Sequence, residues 1–240
     1  MTTPAPTPVR ATTPVTATTD LPGFAHPVHD AQQVFRAVLE ATSFPTRQQT
    51  VDVDLRVPAP LGTTAAAIAL TLCDETTPVW LDPALATAEV SAWLAFHAGI
   101  RTVEDPQQAL FAFAGTPDGV PPLEALATGS DEEPHLSATL VVDTTGRSGD
   151  AGTPSIHTAS GPGLKGPVTW HGAGLPETLL SGWAANHALF PRGVDVLVVD
   201  DDARTVTGLP RTTALVSAAR TAVTTAAADR SPSADTEGAR

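Results

Sequence analysis

The sequence predicts a single α/β domain built on a mixed sheet flanked by helices, and three observations carry that expectation. Apolar runs of strand length alternate with segments of helical period along the middle of the chain, an order that builds a sheet with helices packed against it. Val194, Val196, Leu197, Val198 and Val199 form a nearly unbroken, mostly β-branched run, which suits a strand covered on both faces. The 240 residues are 42% hydrophobic, enough for one sizeable core or two small ones, and one domain is the simplest reading.

Residues 1–20 hold almost only Thr, Pro and Ala with scattered Val, and show neither helical nor strand period, so a disordered tail is expected there. The domain is placed at 21–216. Ala31, Val34, Phe35, Val38, Leu39 and Thr42 fall at helical spacing behind Asp30, which can cap, so a helix is expected over 30–43. Val51, Val53, Leu55 and Val57 alternate with Asp52, Asp54 and Arg56 and read as a half-exposed strand. Residues 63–72 are apolar on all sides and read as a buried helix, 77–81 as a strand and about 84–97 as another helix. LFAFAG near Leu110, LSATLVV near Leu136 and SIHTAS near Ser155 are strand-like, and a helix is expected over 177–188.

After the run at 194–199, Asp200, Asp201 and Asp202 read as a solvated hairpin turn and Thr205 to Leu209 as the return strand. The Ala-rich stretch from Leu215 to Ala228 can extend a helix, with order fading after about 220 into a partly disordered tail within 217–240.

The hairpin delivers Pro210, Arg211, Thr212 and Thr213 to the end of a sheet. Pro210 lacks an N–H and ends the strand, Arg211 brings a planar fork of donors, and the threonines add hydroxyls and backbone N–H groups. Two readings stand side by side. The segment binds an anion, or Arg211 makes a structural salt bridge while the threonines cap the Ala-rich segment after them.

Composition bounds the partners. With 26 acidic and 13 basic residues the formal charge is −13, and residues 21–215 alone hold 22 acids against 9 bases, a field that repels nucleic acid and anionic membranes. No apolar run is long enough to span a bilayer and no secretory leader is apparent, so a soluble, cytoplasmic protein is expected. Cys73, the sole cysteine, reads as a small core residue, with Asp74 and Glu75 beside it opposing a thiolate.

Several motifs fail on their chemistry. GPGLKG, with Gly161, Gly163 and Gly166, satisfies G-x-G-x-x-G, but the PVTWHGAGLP after it cannot start the helix that would hold a pyrophosphate. Lys165, the only lysine, follows Leu164, so there is no Walker A loop. As a glycine-flanked loop residue it also suits solvent better than a Schiff base with pyridoxal phosphate. His26 and His29 have H-x-x-H spacing beside Asp30, yet the other histidines are scattered singly and no cysteine pair assists, so no metal site is expected. The residues alone lead to an α/β protein with a possible anion site.

An ordered set of segments nevertheless resembles one family, PhnH, a component of the bacterial carbon-phosphorus lyase core complex. They are VHDAQQVFRAVLEATSFP from Val28, LTLCDETTPVWL from Leu70, AFHAGIRTVEDPQQALFAF from Ala95, LATGSDEEPHLSATLVV from Leu126, TASGPGL from Thr158, and FPRGVDVLVV with GLPRTTAL at the end. The family usually has Pro-Gly after the first helix where this chain has Pro45-Thr46, so that turn is expected to differ.

The resemblance implies a three-layer fold similar to pyridoxal-phosphate-dependent transferases but without the cofactor. It implies a non-autonomous subunit that acts with G, I and L-type partners, beside the J-type radical subunit. The joint reaction replaces the base of a nucleoside triphosphate, taken with Mg, by an alkylphosphonate. A homodimer is implied for the isolated chain. On this reading no catalytic residue is assigned, and Arg192 and Arg211, near opposite ends of the strand pair, with Thr212 and Thr213 assisting, are candidates for an anion contact or a subunit interface. The alternative is a purely structural subunit with no ligand site of its own.

Overall fold

In the computed structural model, residues 21–146 and 156–217 are described. The expected disorder of both tails, and most of the Ala-rich stretch after Leu215, lie outside them. The chain runs α1 (Pro27–Ser43), β1 (Gln48–Thr50), α2 (Thr63–Leu72), β2 (Pro78–Leu81), α3 (Ala88–Ala98), β3 (Arg101–Val103) and β4 (Phe111–Ala114). It continues through β5 (Thr139–Asp143), β6 (His157–Ser160), β7 (Val168–Trp170), α4 (Glu177–Ala188), β8 (Asp195–Asp200), β9 (Thr205–Leu209) and β10 (Ala214–Ser217). Seven strands form the central sheet in the order β1-β9-β8-β5-β4-β2-β3. Its strands from β3 to β8 pair in parallel, and β9 pairs antiparallel with both β8 and β1, so β9 alone is reversed.

The pleat divides the interior into two cores. Val79, Leu81, Phe113, Val141, Leu197, Val199 and Val206 face α1, α2 and α3. Ala112, Leu140, Val142, Val196, Val198 and Leu209 face the other way, toward Leu179, Leu180 and Trp183 of α4. The three layers are present, but helices do not supply both outer ones. A second, three-stranded sheet, β10-β6-β7, shares the α4 side. SIHTAS therefore belongs to this small sheet, and Ala214–Ser217 is a strand rather than the start of a helix, because Leu215 pairs with Ala159 and Ser217 with His157.

Local corrections have local causes. α1 begins at Pro27, whose missing N–H costs nothing at a first turn, and Asp30 lies inside it, its Oδ2 accepting from the His26 N–H at 2.9 Å. The buried face of α1 is Val34, Ala37, Val38 and Ala41, which leaves Phe35 and Leu39 exposed. Residues 51–57 keep the period-two burial of a strand, yet only Gln48–Thr50 pair in the ladder with β9. α3 starts at Ala88 and not near 84, because the Asp82 carboxylate accepts from the Ala84 and Leu85 N–H groups and holds a separate turn. Thr87 Oγ1 then caps the helix through Val90 N at 3.1 Å.

The turn after α1 keeps a glycine-like backbone with a threonine in it. Thr46 has φ 68°, in the left-handed region that a β-branched residue rarely adopts. Its N–H donates to the Gly208 carbonyl at 3.0 Å, which ties the turn to β9. α1 can lie this close to the sheet because Gly208 has no side chain: a Cβ there would collide with the Ala41 carbonyl oxygen.

Candidate functional site

Antiparallel pairing decides where the candidate residues meet. Val196 stands opposite Leu209, so the residues just before β8 and just after β9 lie together at the mouth of the hairpin. Arg192 and Arg211, distant in the sequence and expected near opposite ends of the strand pair, share that mouth.

Arg211 is committed to the protein itself. Nε donates to Asp195 Oδ1 at 3.1 Å and Nη2 to Oδ2 at 2.6 Å, a bidentate pair, while the Arg211 backbone N–H also reaches Oδ1 at 2.7 Å. Nη1 donates to the Pro134 carbonyl at 3.1 Å and the Pro191 carbonyl at 3.3 Å. One guanidinium thus joins β8, the turn before β5 and the turn before β8. The structural salt bridge of the two sequence readings is present. Arg192 is more open: its Nε lies 3.0 Å from Asp131 Oδ1, with the two side chains 37% and 75% exposed. That contact is an ion pair without the alignment of a hydrogen bond.

The threonines sit beneath a grip from α4. Trp183 Nε1 donates to the Thr213 carbonyl at 2.7 Å, and one helical turn later His187 Nδ1 lies 2.8 Å from the Arg211 carbonyl. Asn186 between them accepts from Val194 N and donates to Val194 O, which fixes the entry to β8. Thr213 is fully buried, its N–H bonded to the Pro210 carbonyl and its hydroxyl without a hydrogen-bond partner. Thr212 is half-buried. Neither threonine caps a helix, since β10 comes next in the chain.

Sequence reasoning missed Asp195, Asn186, Trp183 and His187. The hairpin register carried a signal for the first: a turn at 200–204 puts Asp195 across from Pro210, next to Arg211. The α4 contacts had none, because they depend on how that helix docks.

The carboxyl ends of parallel strands, where open α/β sheets ordinarily receive ligands, are acidic here. β2, β5 and β8 each run into aspartates. Asp82 is buried and accepts from Ala84, Leu85 and Gly115 N–H groups. Asp201 caps α2, accepting from Thr64 N at 2.7 Å and Thr64 Oγ1 at 2.9 Å. Asp143 accepts from Thr145, whose Oγ1 in turn accepts from Asp201 N. Burial pushes the Asp143 carboxyl above its ordinary value, and neighbouring Asp201 and Asp200 push the same way against the Thr145 hydrogen bonds. The run at 200–202 is therefore more than a solvated turn, because Asp201 satisfies the N-terminus of a buried helix. A recurring pattern of apolar strand followed by Asp was the available signal.

The remaining candidates resolve plainly. GPGLKG is the connection between β6 and β7 in the small sheet, with Lys165 exposed. Gly163 is needed because a Cβ there, at φ 82°, would collide with the Ser43 carbonyl oxygen. Burial, aided by Asp74, pushes the Cys73 thiol up to about 12, so it stays protonated. His29 Nδ1 lies 3.5 Å from Asp30. Among the described residues no group of three His, Cys, Asp or Glu side chains converges as a metal site, and no helix is long and apolar enough to cross a membrane.

A seven-stranded sheet with one reversed strand and helices packed on it defines a mixed α/β domain, in which the glycine-rich segment closes a β-hairpin and does not open a helix as a Rossmann phosphate turn does. The model of the bacterial phosphonate metabolism protein family PhnH matches residues 22–216, and the chain belongs to that family. It is 41% identical over 192 residues to the alpha-D-ribose 1-methylphosphonate 5-triphosphate synthase subunit PhnH of Rhizobium meliloti (strain 1021), covering 80% of this chain and 93% of that protein.

Proposed function

We propose that this chain is a non-autonomous subunit of a carbon-phosphorus lyase system. With G, I and L-type subunits it serves transfer of the ribose triphosphate of a nucleoside triphosphate onto an alkylphosphonate, and the J-type subunit acts afterwards. The observation that carries the reading is the relative that bears a synthase-subunit name and is matched over 93% of its length. The Mg-bound nucleotide is substrate of the assembly, and this chain holds no cofactor of its own. The acidic surroundings of the α2 N-terminus support that last point, since Asp201 accepts from the Thr64 N–H and hydroxyl where a cofactor phosphate would otherwise sit. The sheet with one reversed strand supports kinship with pyridoxal-phosphate-dependent transferases.

Within this reading the role of the chain is to complete an assembly in the cytoplasm, and the isolated chain is a homodimer. Arg192, with its loosely held guanidinium, is the better of the two arginines for an anion or a subunit contact. A second reading, a purely structural subunit, is favoured by the internal commitment of Arg211. Co-expression of the chain with the G, I and L subunits of its own cluster tests the first reading by product formation with and without it. Loss of the ribose phosphonate triphosphate on omission, with a silent isolated chain, is expected; undiminished product refutes it. Arg192→Ala separates the two readings, because only an anion contact predicts a raised KM for nucleotide or phosphonate in an intact assembly.

A further inference from the structure

α1 carries two apolar faces. Val34, Ala37, Val38 and Ala41 are buried in the core. Val28, Phe35 and Leu39 follow at intervals of seven and four, which places them within about 40° of one another around the helix. They are 88%, 51% and 52% exposed. Scattered apolar side chains on a surface are ordinary. Three in line on a 17-residue helix, about 25 Å long, are not explained by the folding of this chain, and Phe44 extends the exposure at the helix end.

The cations point to the same place. Arg192, Arg204 and Arg211 pair with aspartates and Arg101 with the Glu75 carbonyl. Among the described residues no carboxylate pairs with Arg36, Arg47, Arg56 or Lys165, and three of these four gather at α1. Arg36 is on the helix, Arg47 lies over the Phe44 ring at 5.4 Å, and Lys165 is two residues from Gly163, which rests on the Ser43 carbonyl. A cleft of about 340 Å³ opens along the same helix, lined by Gln32, Gln33, Arg36, Glu40, Gln49 and Thr50. Its floor strand β1 is an edge of the sheet.

We propose that this apolar ridge, its cations and the amide-lined cleft dock another protein subunit of the synthase assembly, one that presents apolar side chains bordered by carboxylates. The inference rests on the multi-subunit reading above. Charge complementarity selects the occupant: a chain of −13 that keeps cations with no carboxylate partner among the described residues beside its exposed apolar residues suits an acidic-rimmed partner. A second copy is the competing occupant: a two-fold contact sets residue i against residue j, so only cations near the axis would meet their own copies, and self-association of the isolated chain separates the two.

The test uses the tagged full chain co-expressed with the other subunits of its cluster, and reads the amount of each subunit that co-purifies at low and high salt. Phe35→Ser with Leu39→Ser, and separately Arg47→Glu with Lys165→Glu, are each expected to reduce co-purification by about tenfold or more. Melting should stay unchanged, because all four side chains are exposed, and wild-type association should weaken with salt. Wild-type co-purification by both double variants overturns the surface while leaving the multi-subunit reading intact. A wild-type chain that captures no subunit removes both. Loss of self-association of the isolated chain in either variant overturns the proposal by assigning the face to a second copy. A melting loss reproduced by deleting residues 1–20 overturns it by assigning the face to that segment.

Discussion

Arg211→Ala tests whether the most prominent candidate residue holds the fold or a ligand. The guanidinium is 13% exposed and Asp195 29%. Removing it breaks a bidentate pair and frees the Pro134 and Pro191 carbonyls. Breaking a buried pair from one side costs about 3–5 kcal/mol. Asp195 retains the Arg211 backbone N–H at 2.7 Å and some access to water, so the lower end applies. At about 2–4 °C per kcal/mol for a domain of this size, a loss of about 3 kcal/mol lowers Tm by about 6–12 °C. Arg211→Lys keeps the charge but loses the fork, and an intermediate loss is expected. The assay is thermal unfolding of the isolated chain, with and without inorganic pyrophosphate or methylphosphonate, beside turnover in the reconstituted assembly. Melting within about 2 °C of wild type, together with lost turnover, would refute the clamp and return Arg211 to ligand binding.

Other outcomes rest on single features. Thr46→Gly should raise stability by about 0.5–1 kcal/mol in urea unfolding, because relief of a left-handed β-branched residue exceeds the entropy glycine adds to the unfolded chain; a loss would mean that the Thr46 side chain holds the turn. Gly163→Ala should cost about 2 kcal/mol or more by the same measurement, since its Cβ would collide with the Ser43 carbonyl; a neutral result would show that the β6–β7 turn does not rest on α1. Burial holds the His157 imidazole below its ordinary 6.5, with Glu177 opposing, so the folded state binds fewer protons than the unfolded one just below that value. Stability is then lost as pH falls from 6.5 toward the depressed value, at no more than about 1.4 kcal/mol per pH unit. His157→Gln should flatten that slope just below pH 6.5, and an unchanged slope would place its origin elsewhere.

Much of the architecture was legible locally. α2 and α4 stand where an all-apolar segment and a periodic one put them, and the hairpin at 194–209 was read nearly residue for residue, because a covered strand and an acidic turn have strong composition signals. Four short strands escaped. β1, β3, β7 and β10 have three or four residues each, too few to show a period, and they become strands by finding partners. At the site, Arg211 was legible in the sequence as a fork of donors after a strand-ending proline, but its commitment to Asp195 shows only in the packed hairpin.

Residue type and order along the chain were enough for the α/β class, the covered strand at 194–199, the acidic surface and the family. Packing in three dimensions was needed to show that β6, β7 and β10 leave the main sheet and that Arg211 serves its own hairpin. It was needed equally to show that Asp201 serves a helix 137 residues away, and that α1 keeps a second apolar face in water. Each of these turns on which surfaces meet in space. A side chain carries its charge and its apolar area wherever it goes, but its partner is chosen by packing between segments far apart in the chain, and periodicity does not record that choice.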